Sequence, residues 1–205
     1  MPNKYKVVVF DLGNVLIPFN YEIAFSKLEK IEKGLGDHYR IFLKENYPLH
    51  RAFEAGEITE SVFIEKHLNA LKNLVDGETF CSLYSEIFTV NEDTAALLPK
   101  LKMNYRLMLL SNTNSIHKKY GWEQYPFLAN FEKLFLSHEL KYVKPQKEIY
   151  EAVTSYTGEL PETHIFIDDI AEYAEGAKSR GWDAIQYTGY APLLNELTVR
   201  GILRD

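Results

Sequence analysis

The stretch Lys6-Val7-Val8-Val9-Phe10-Asp11-Leu12-Gly13-Asn14-Val15-Leu16 puts a single carboxylate, and then a glycine, at the end of an unbroken run of β-favouring residues. Continuous apolarity over so few positions suits a strand buried on both faces, and hence a parallel sheet covered by helices on either side. A carboxylate where such a strand stops faces the C-terminal edge of the sheet, where open α/β folds bind their ligands. Taken alone, Asp11 could equally close a turn or cap a helix.

The rest of the chain repeats the pattern after one long interruption. Pro18-Phe19-Asn20 reads as a turn, with Asn20 capping a helix that runs to Lys33 and Gly34-Leu35-Gly36-Asp37 ending it. From Tyr39 to Phe88 the apolar spacing stays helical, with Thr59 as the N-cap of the middle helix. An insert of about 70 residues without a strand far exceeds an ordinary βα connection. The expected division is therefore an α/β core of residues 1–17 and 90–205 and a helical insert of residues 18–89. A helix over Asp93–Lys102 and a strand ending in Ser111-Asn112-Thr113-Asn114 resume the alternation. A strand at Lys133–Leu136 follows, then a helix opened by Lys144-Pro145 with proline in its first turn. His164–Ile167 is a strand ending in Asp168-Asp169, a helix over Tyr173–Arg180 is closed by Gly181, and Asp183–Tyr187 is a last strand. Strands alternating with helices in this way predict a parallel, doubly wound sheet.

Composition narrows the function. The formal net charge of −6 and the absence of a dense Lys/Arg cluster argue against a nucleic-acid partner. No apolar run reaches membrane-span length and the N-terminus lacks a signal-peptide pattern, so no membrane partner is expected and the expected compartment is the cytoplasm. Cys81 is the sole cysteine, which leaves no internal disulfide and no cysteine-based metal motif; it reads as a small buried hydrophobe. The six histidines, His38, His50, His67, His117, His138 and His164, lack metal-ligand spacing. Nucleotide-binding glycine loops and the Gly-x-Ser-x-Gly elbow are absent.

Three strand ends thus carry polar clusters, Asp11, Ser111-Asn112 and Asp168-Asp169, and a parallel sheet brings all its strand C-termini to one edge. Convergent carboxylates supply hard oxygen ligands for an ion such as Mg²⁺ that also touches phosphate. With Lys144 beside them, Asp11 could attack phosphorus while the cations offset the repulsion between carboxylate and phosphate.

Asp11-Leu12-Gly13-Asn14-Val15, then Ser111-Asn112, Lys144-Pro145 and Asp168-Asp169, in that order, resemble the four motifs of the haloacid dehalogenase superfamily. Their closest likeness is to the alpha-D-glucose-1-phosphate phosphatase-like branch. The resemblance implies a Rossmann-like core with a cap inserted after the first strand, and a Mg²⁺-dependent phosphatase of small phosphorylated metabolites, sugar phosphates favoured. It further implies Asp11 as nucleophile and metal ligand, the Gly13 carbonyl as metal ligand, Ser111 and Asn112 on the phosphate, Lys144 bridging Asp11 and phosphate, and Asp169 as metal ligand assisted by Asp168. Gly13 departs from the pattern, because most phosphatases of the superfamily carry there an aspartate that serves as general acid and base, worth roughly 10²–10⁴ in rate. Tyr173 stands where relatives often place asparagine or aspartate. Rival readings are a dehalogenase, which needs no metal, and a phosphate-binding protein without catalysis. The insert is expected to set substrate choice, with Phe19, Tyr21, Tyr47, Arg51, Phe53 and Glu54 as candidates to face the pocket.

Overall fold

Strand β1 (Val7–Phe10) is the centre of a five-stranded, wholly parallel sheet in a computed structural model that describes residues 4–203. Residues 1–3 and 204–205 of the expected core range lie outside the described residues. The other strands are β2 (Arg106–Ser111), β3 (Lys133–Leu136), β4 (His164–Asp168) and β5 (Asp183–Gln186), in the spatial order β3-β2-β1-β4-β5. All four β1 residues are fully buried, as their unbroken apolarity requires. Val7 stands opposite both Arg106 and His164, and Phe10 opposite both Leu109 and Ile167. This register brings Asp11, Ser111 and Asp168 to one edge. After β1 the chain moves to β2 and β3, and only later to β4 and β5 on the other side. The order therefore reverses between β1 and β4, the crevice that open α/β sheets use for ligands.

Strand alternation divides the core in two. Val8, Phe10, Leu107, Leu109, Ile165 and Ile167 pack on one face, and Val7, Val9, Met108, Leu110 and Phe166 on the other. The helices of the insert are α1 (Glu22–Ile31), α2 (Leu35–Glu45), α3 (Tyr47–Glu54), α4 (Glu60–Ala70) and α5 (Gly77–Ser85). They enclose a separate apolar cluster of Phe25, Tyr39, Phe53, Phe63, Phe80 and Tyr84, joined by Ile116 from beyond β2. Thr59 caps α4 as expected, its hydroxyl accepting from the Val62 N–H. The two segments that connect the insert to the sheet pair with each other, Asn20 N–H donating to Ile87 O at 2.8 Å and Thr89 N–H to Pro18 O at 3.0 Å. Cys81 is buried in the insert, and burial pushes its thiol up to about 11, which keeps it unreactive at neutral pH.

Five local expectations are corrected. The region of Gly34 to Asp37 is the first turn of α2 rather than a loop: Gly34 turns the chain at φ +85°, and Gly36 lies so close to α1 that a Cβ there would meet the Phe25 carbonyl oxygen at 2.4 Å. Asn20 does not cap α1 from the N-cap position, which Tyr21 holds; its side chain instead accepts the Glu22 N–H at 3.0 Å. The single helix expected over Asp93–Lys102 is two short ones, α6 (Glu92–Ala95) and α7 (Leu98–Lys102), because Pro99 offers no N–H and its ring would strike the carbonyl one turn back. After α8 (Ser137–Leu140), which the sequence reading missed, Lys144-Pro145 opens no helix. Val143 and Gln146 close a turn around them, Val143 N–H to Gln146 Oε1 at 2.7 Å and Gln146 N–H to Val143 O at 2.8 Å, and α9 begins only at Lys147 and runs to Thr157. The helix after β4, α10 (Ala171–Lys178), starts two residues earlier than expected, and α11 (Tyr190–Val199), also unforeseen, packs Leu193 and Leu197 on the β1 face that carries Val8 and Phe10. No helix among the described residues is long and apolar enough to cross a membrane.

Candidate active site

Asp11 follows β1 directly, and its N–H still donates to Ile167 O of β4 at 2.8 Å, so its position is an extension of the sheet ladder. Lys144 comes to it from the turn before α9. Its ammonium lies 2.8 Å from Asp11 Oδ1 and 2.6 Å from Asp168 Oδ2, and the lysine is 1% exposed. Asn112 sets the lysine's height by clamping its peptide from both sides, Lys144 N–H donating to Asn112 Oδ1 at 2.8 Å and Asn112 Nδ2 to Lys144 O at 3.2 Å. The Tyr173 ring lies 5.0 Å from the same ammonium, and that of Phe166 5.3 Å, so the cation also rests on two aromatic faces.

Asp11, Asp168 and Asp169 offer carboxylate oxygens within 4.8 Å of one another. Asp168 has both oxygens engaged, one by Lys144 and one by the Ile170 N–H at 2.8 Å. Asp169 is held by Asn14, whose Nδ2 donates to its Oδ2 at 3.0 Å. Asn14 takes φ 54°, a left-handed conformation that asparagine tolerates better than most residues, and this turns its amide toward the sheet edge. Three carboxylates against one ammonium leave the cluster short of positive charge. Burial, and the charge of Asp168, push the Asp11 carboxyl up to about 7 while Lys144 pulls it down. Burial also raises Asp169, against the hydrogen bond from Asn14. Burial acts to lower Lys144, but Asp11 and Asp168 outweigh it and hold the ammonium charged. A cluster of hard oxygens with a charge deficit fits a divalent cation such as Mg²⁺, with Asp11, Asp168 and Asp169 as the carboxylates that could reach one ion.

The cluster opens into a cavity of about 460 Å³ between the sheet edge and the insert. Asp11, Gly13, Asn112, Lys144 and Asp169 form its base, and Phe19, Tyr21, Phe25, Leu43, Tyr47, His50, Arg51 and Glu54 its opposite wall. Ser111, expected on the phosphate, instead lines a smaller neighbouring cavity of about 80 Å³ together with Gly13, Asn112, His50, Glu54 and His117. Of the insert residues expected to face the pocket, Phe53 does not: it is 3% exposed and stacked on Phe63 at 4.2 Å. Tyr173 lines the cavity, and His117 is buried, with Nε2 lacking a hydrogen-bond partner among the described residues.

Arg51 and Glu54 line the cavity as expected, whereas sequence reasoning missed Asn14, His50 and the pairing of these side chains on α3. There His50 Nε2 lies 3.2 Å from Glu54 Oε1, and Arg51 Nη1 lies 2.7 Å from Glu54 Oε2. Arg51 Nη2 also reaches Lys144 O at 3.4 Å, linking the insert to the base of the site. The signal was present as His50 and Arg51 four and three residues before Glu54, a spacing that puts all three on one helix face.

Residues 5–181 match the haloacid dehalogenase-like hydrolase family. A D-ribitol-5-phosphate phosphatase from Bacteroides thetaiotaomicron is 26% identical over 203 residues, covering 95% of this chain and 97% of that one. A crystal structure of a haloacid dehalogenase family enzyme from the same organism superposes with a TM-score of 0.78 at 28% identity, covering 89% of this chain and 93% of that one. A further structure from that organism, of a wild-type protein of this family in complex with magnesium and inorganic phosphate, gives 0.76 at 29% identity over 88% and 93% of the two chains. With the parallel sheet, the insert after β1 and the carboxylate cluster at the β1/β4 crevice, the match over residues 5–181 establishes that the chain belongs to the haloacid dehalogenase-like hydrolases.

Proposed function

We propose that this hydrolase is a Mg²⁺-dependent phosphatase that cleaves a small phosphorylated metabolite, a sugar or polyol phosphate, through phospho-Asp11. The observation that carries the reading is the buried contact of 2.8 Å between Lys144 and Asp11 at the base of a cavity whose other wall is the helical insert. Attack of Asp11 on phosphorus brings two anions together. Lys144 lowers that barrier by standing at the nucleophile, and Asp168 and Asn112 hold the lysine there. Mg²⁺, held by Asp11, Asp169 and the Gly13 carbonyl, would supply the remaining positive charge at the phosphate. Asn112, which lines the cavity beside Asp11 and Lys144, is the residue offered to the phosphate oxygens, with Ser111 next to it in the small adjoining cavity.

Residues 18–89 act as a cap over a core of residues 1–17 and 90–205, and the paired segments at Pro18–Asn20 and Ile87–Thr89 are the joint between them. The cavity wall of Phe19, Tyr21, Phe25 and Tyr47 offers apolar ring surface to the C–H groups of a polyol or sugar, while Arg51 offers hydrogen bonds to its hydroxyls. The similarity to a D-ribitol-5-phosphate phosphatase and to a magnesium- and phosphate-bound family member supports the same class of substrate.

The test is phosphate release by purified protein across a panel of phosphorylated metabolites, with Mg²⁺ and with chelator, alongside halide release from 2-haloacids without metal. Turnover of five- and six-carbon phosphates that chelation abolishes is expected. Metal-independent halide release without phosphatase activity, or binding of phosphate analogues with no turnover of any phosphate, would overturn the reading.

A further inference from the structure

Nothing in the packing forces glycine at position 13. A Cβ there would meet only the Phe19 ring, at 3.6 Å, which is ordinary contact. The protein thus lacks an acid at the position where the resemblance to the family places one, although there is space for a side chain. A phosphatase acting on alkyl phosphates needs that acid, because an alkoxide is a poor leaving group.

The other titratable groups of the cavity narrow the choice. Arg51 is held above its ordinary value by the carboxylate of Glu54, against the effect of its own burial, so it stays charged. Burial raises the phenols of Tyr21 and Tyr173. Lys44 and Tyr47 line the exposed part of the cavity wall and take no part in the small cavity beside Gly13. His50 and Glu54 remain. Like Tyr21, both line the main cavity and the small one beside Gly13, where the unpartnered Nε2 of buried His117 adds a polar group and the volume of about 80 Å³ has room for water. The pair is also well fixed. Tyr84 OH holds His50 Nδ1 at 2.7 Å, and Arg51 holds the second oxygen of Glu54.

Resting on the phosphatase reading above, we infer that the His50–Glu54 pair of α3 is the general acid and base of the reaction, supplied by the insert in place of the carboxylate missing at Gly13. In the first step the bond between Asp11 and phosphorus forms as the bond from phosphorus to the leaving oxygen breaks. That oxygen keeps the electron pair and takes the proton held between His50 Nε2 and Glu54 Oε1, leaving as an alcohol; imidazolium becomes imidazole. In the second step a water attacks the phosphorus of phospho-Asp11 and returns one proton to the pair. The bond from phosphorus to Asp11 breaks, restoring the Asp11 carboxylate and releasing inorganic phosphate. Although burial tends to raise Glu54, the hydrogen bond from His50 and the charges of His50 and Arg51 hold it below the usual carboxylate range.

Leaving-group dependence tests this. Wild type, Glu54→Gln and His50→Gln are compared on p-nitrophenyl phosphate, whose phenolate needs little protonation, and on the best alkyl phosphate of the metabolite panel. With the alkyl phosphate kcat/KM should fall about 10²-fold or more in each variant, against a loss of a few-fold with the aryl phosphate. The aryl activity also reports that the variant is folded. Adding Gly13→Asp to Glu54→Gln should restore alkyl turnover at least tenfold. Equal losses on both substrates, or alkyl turnover within twofold of wild type, would overturn the role of the pair and leave the phosphatase reading standing. Absence of turnover on either substrate by wild type would overturn both.

Discussion

Lys144 Nζ lies 2.8 Å from Asp11 Oδ1, with the two side chains 1% and 9% exposed. The same ammonium serves Asp168, so two buried carboxylates share one cation. Lys144→Ala should therefore destabilise the protein by about 3–5 kcal/mol at neutral pH, the usual cost of stranding a buried charge. Asp11 is already raised by burial, and losing the lysine raises it further. The folded state then binds more protons than the unfolded one, so the deficit should shrink as pH falls from about 7 toward the unfolded carboxylate value. Urea unfolding of wild type and variant at pH 5 and pH 8 measures both effects.

Asp11→Asn removes the attacking oxygen and should lower kcat at least about 10³-fold on every phosphate tested, aryl phosphates included. The fold should survive. Because a raised carboxyl loses stability as pH rises through its folded value, the metal-free variant should melt at or above the wild-type temperature at pH 8. Undiminished turnover would remove Asp11 from the mechanism.

Calorimetric titration with Mg²⁺ separates ligand from support. Asp169→Ala should weaken binding the more, and Asn14→Ala, which frees Asp169 Oδ2, should weaken it about 10-fold. An unchanged affinity in Asp169→Ala would refute that assignment.

His67 is buried inside the insert against Tyr39 OH at 2.6 Å, and burial lowers its pKa to about 3. Its folded value is below its unfolded one, so below about pH 6.5 the unfolded state binds the extra proton and stability is lost as pH falls toward 3. The slope is about 1.4 kcal/mol per pH unit for one histidine. His67→Phe should flatten that part of the stability profile, and an unaltered slope in denaturant titrations would show that other groups carry it.

Much of the architecture was legible because it rests on local pattern. Val7 to Phe10 could only be a strand buried on both faces, and the recurrence of polar residues at the ends of β2 and β4 located the site before any distance was known. The misreadings have physical causes. Gly36 looked like a helix stop because its close approach to the Phe25 carbonyl is a fact about α1, not about its own neighbours. Lys144-Pro145 looked like a helix start because proline suits the first turn, whereas the turn from Val143 to Gln146 is held by contacts that local propensity does not encode.

By itself the sequence determined the parallel sheet and put Asp11, Asp168 and Asp169 at strand ends, since these need only the side-chain period and the position of each apolar run, while Lys144 stood out only through the resemblance of its motif. Tertiary structure decided how those residues divide their work. Asn112 turned out to hold Lys144 by its peptide, Asp168 to hold it by its charge, and Asn14 to hold Asp169. It alone brought His50, Arg51 and Glu54 over the cavity beside Gly13. That juxtaposition depends on how α3 is oriented above the sheet edge, which follows from packing between distant parts of the chain and not from the pattern of any one of them.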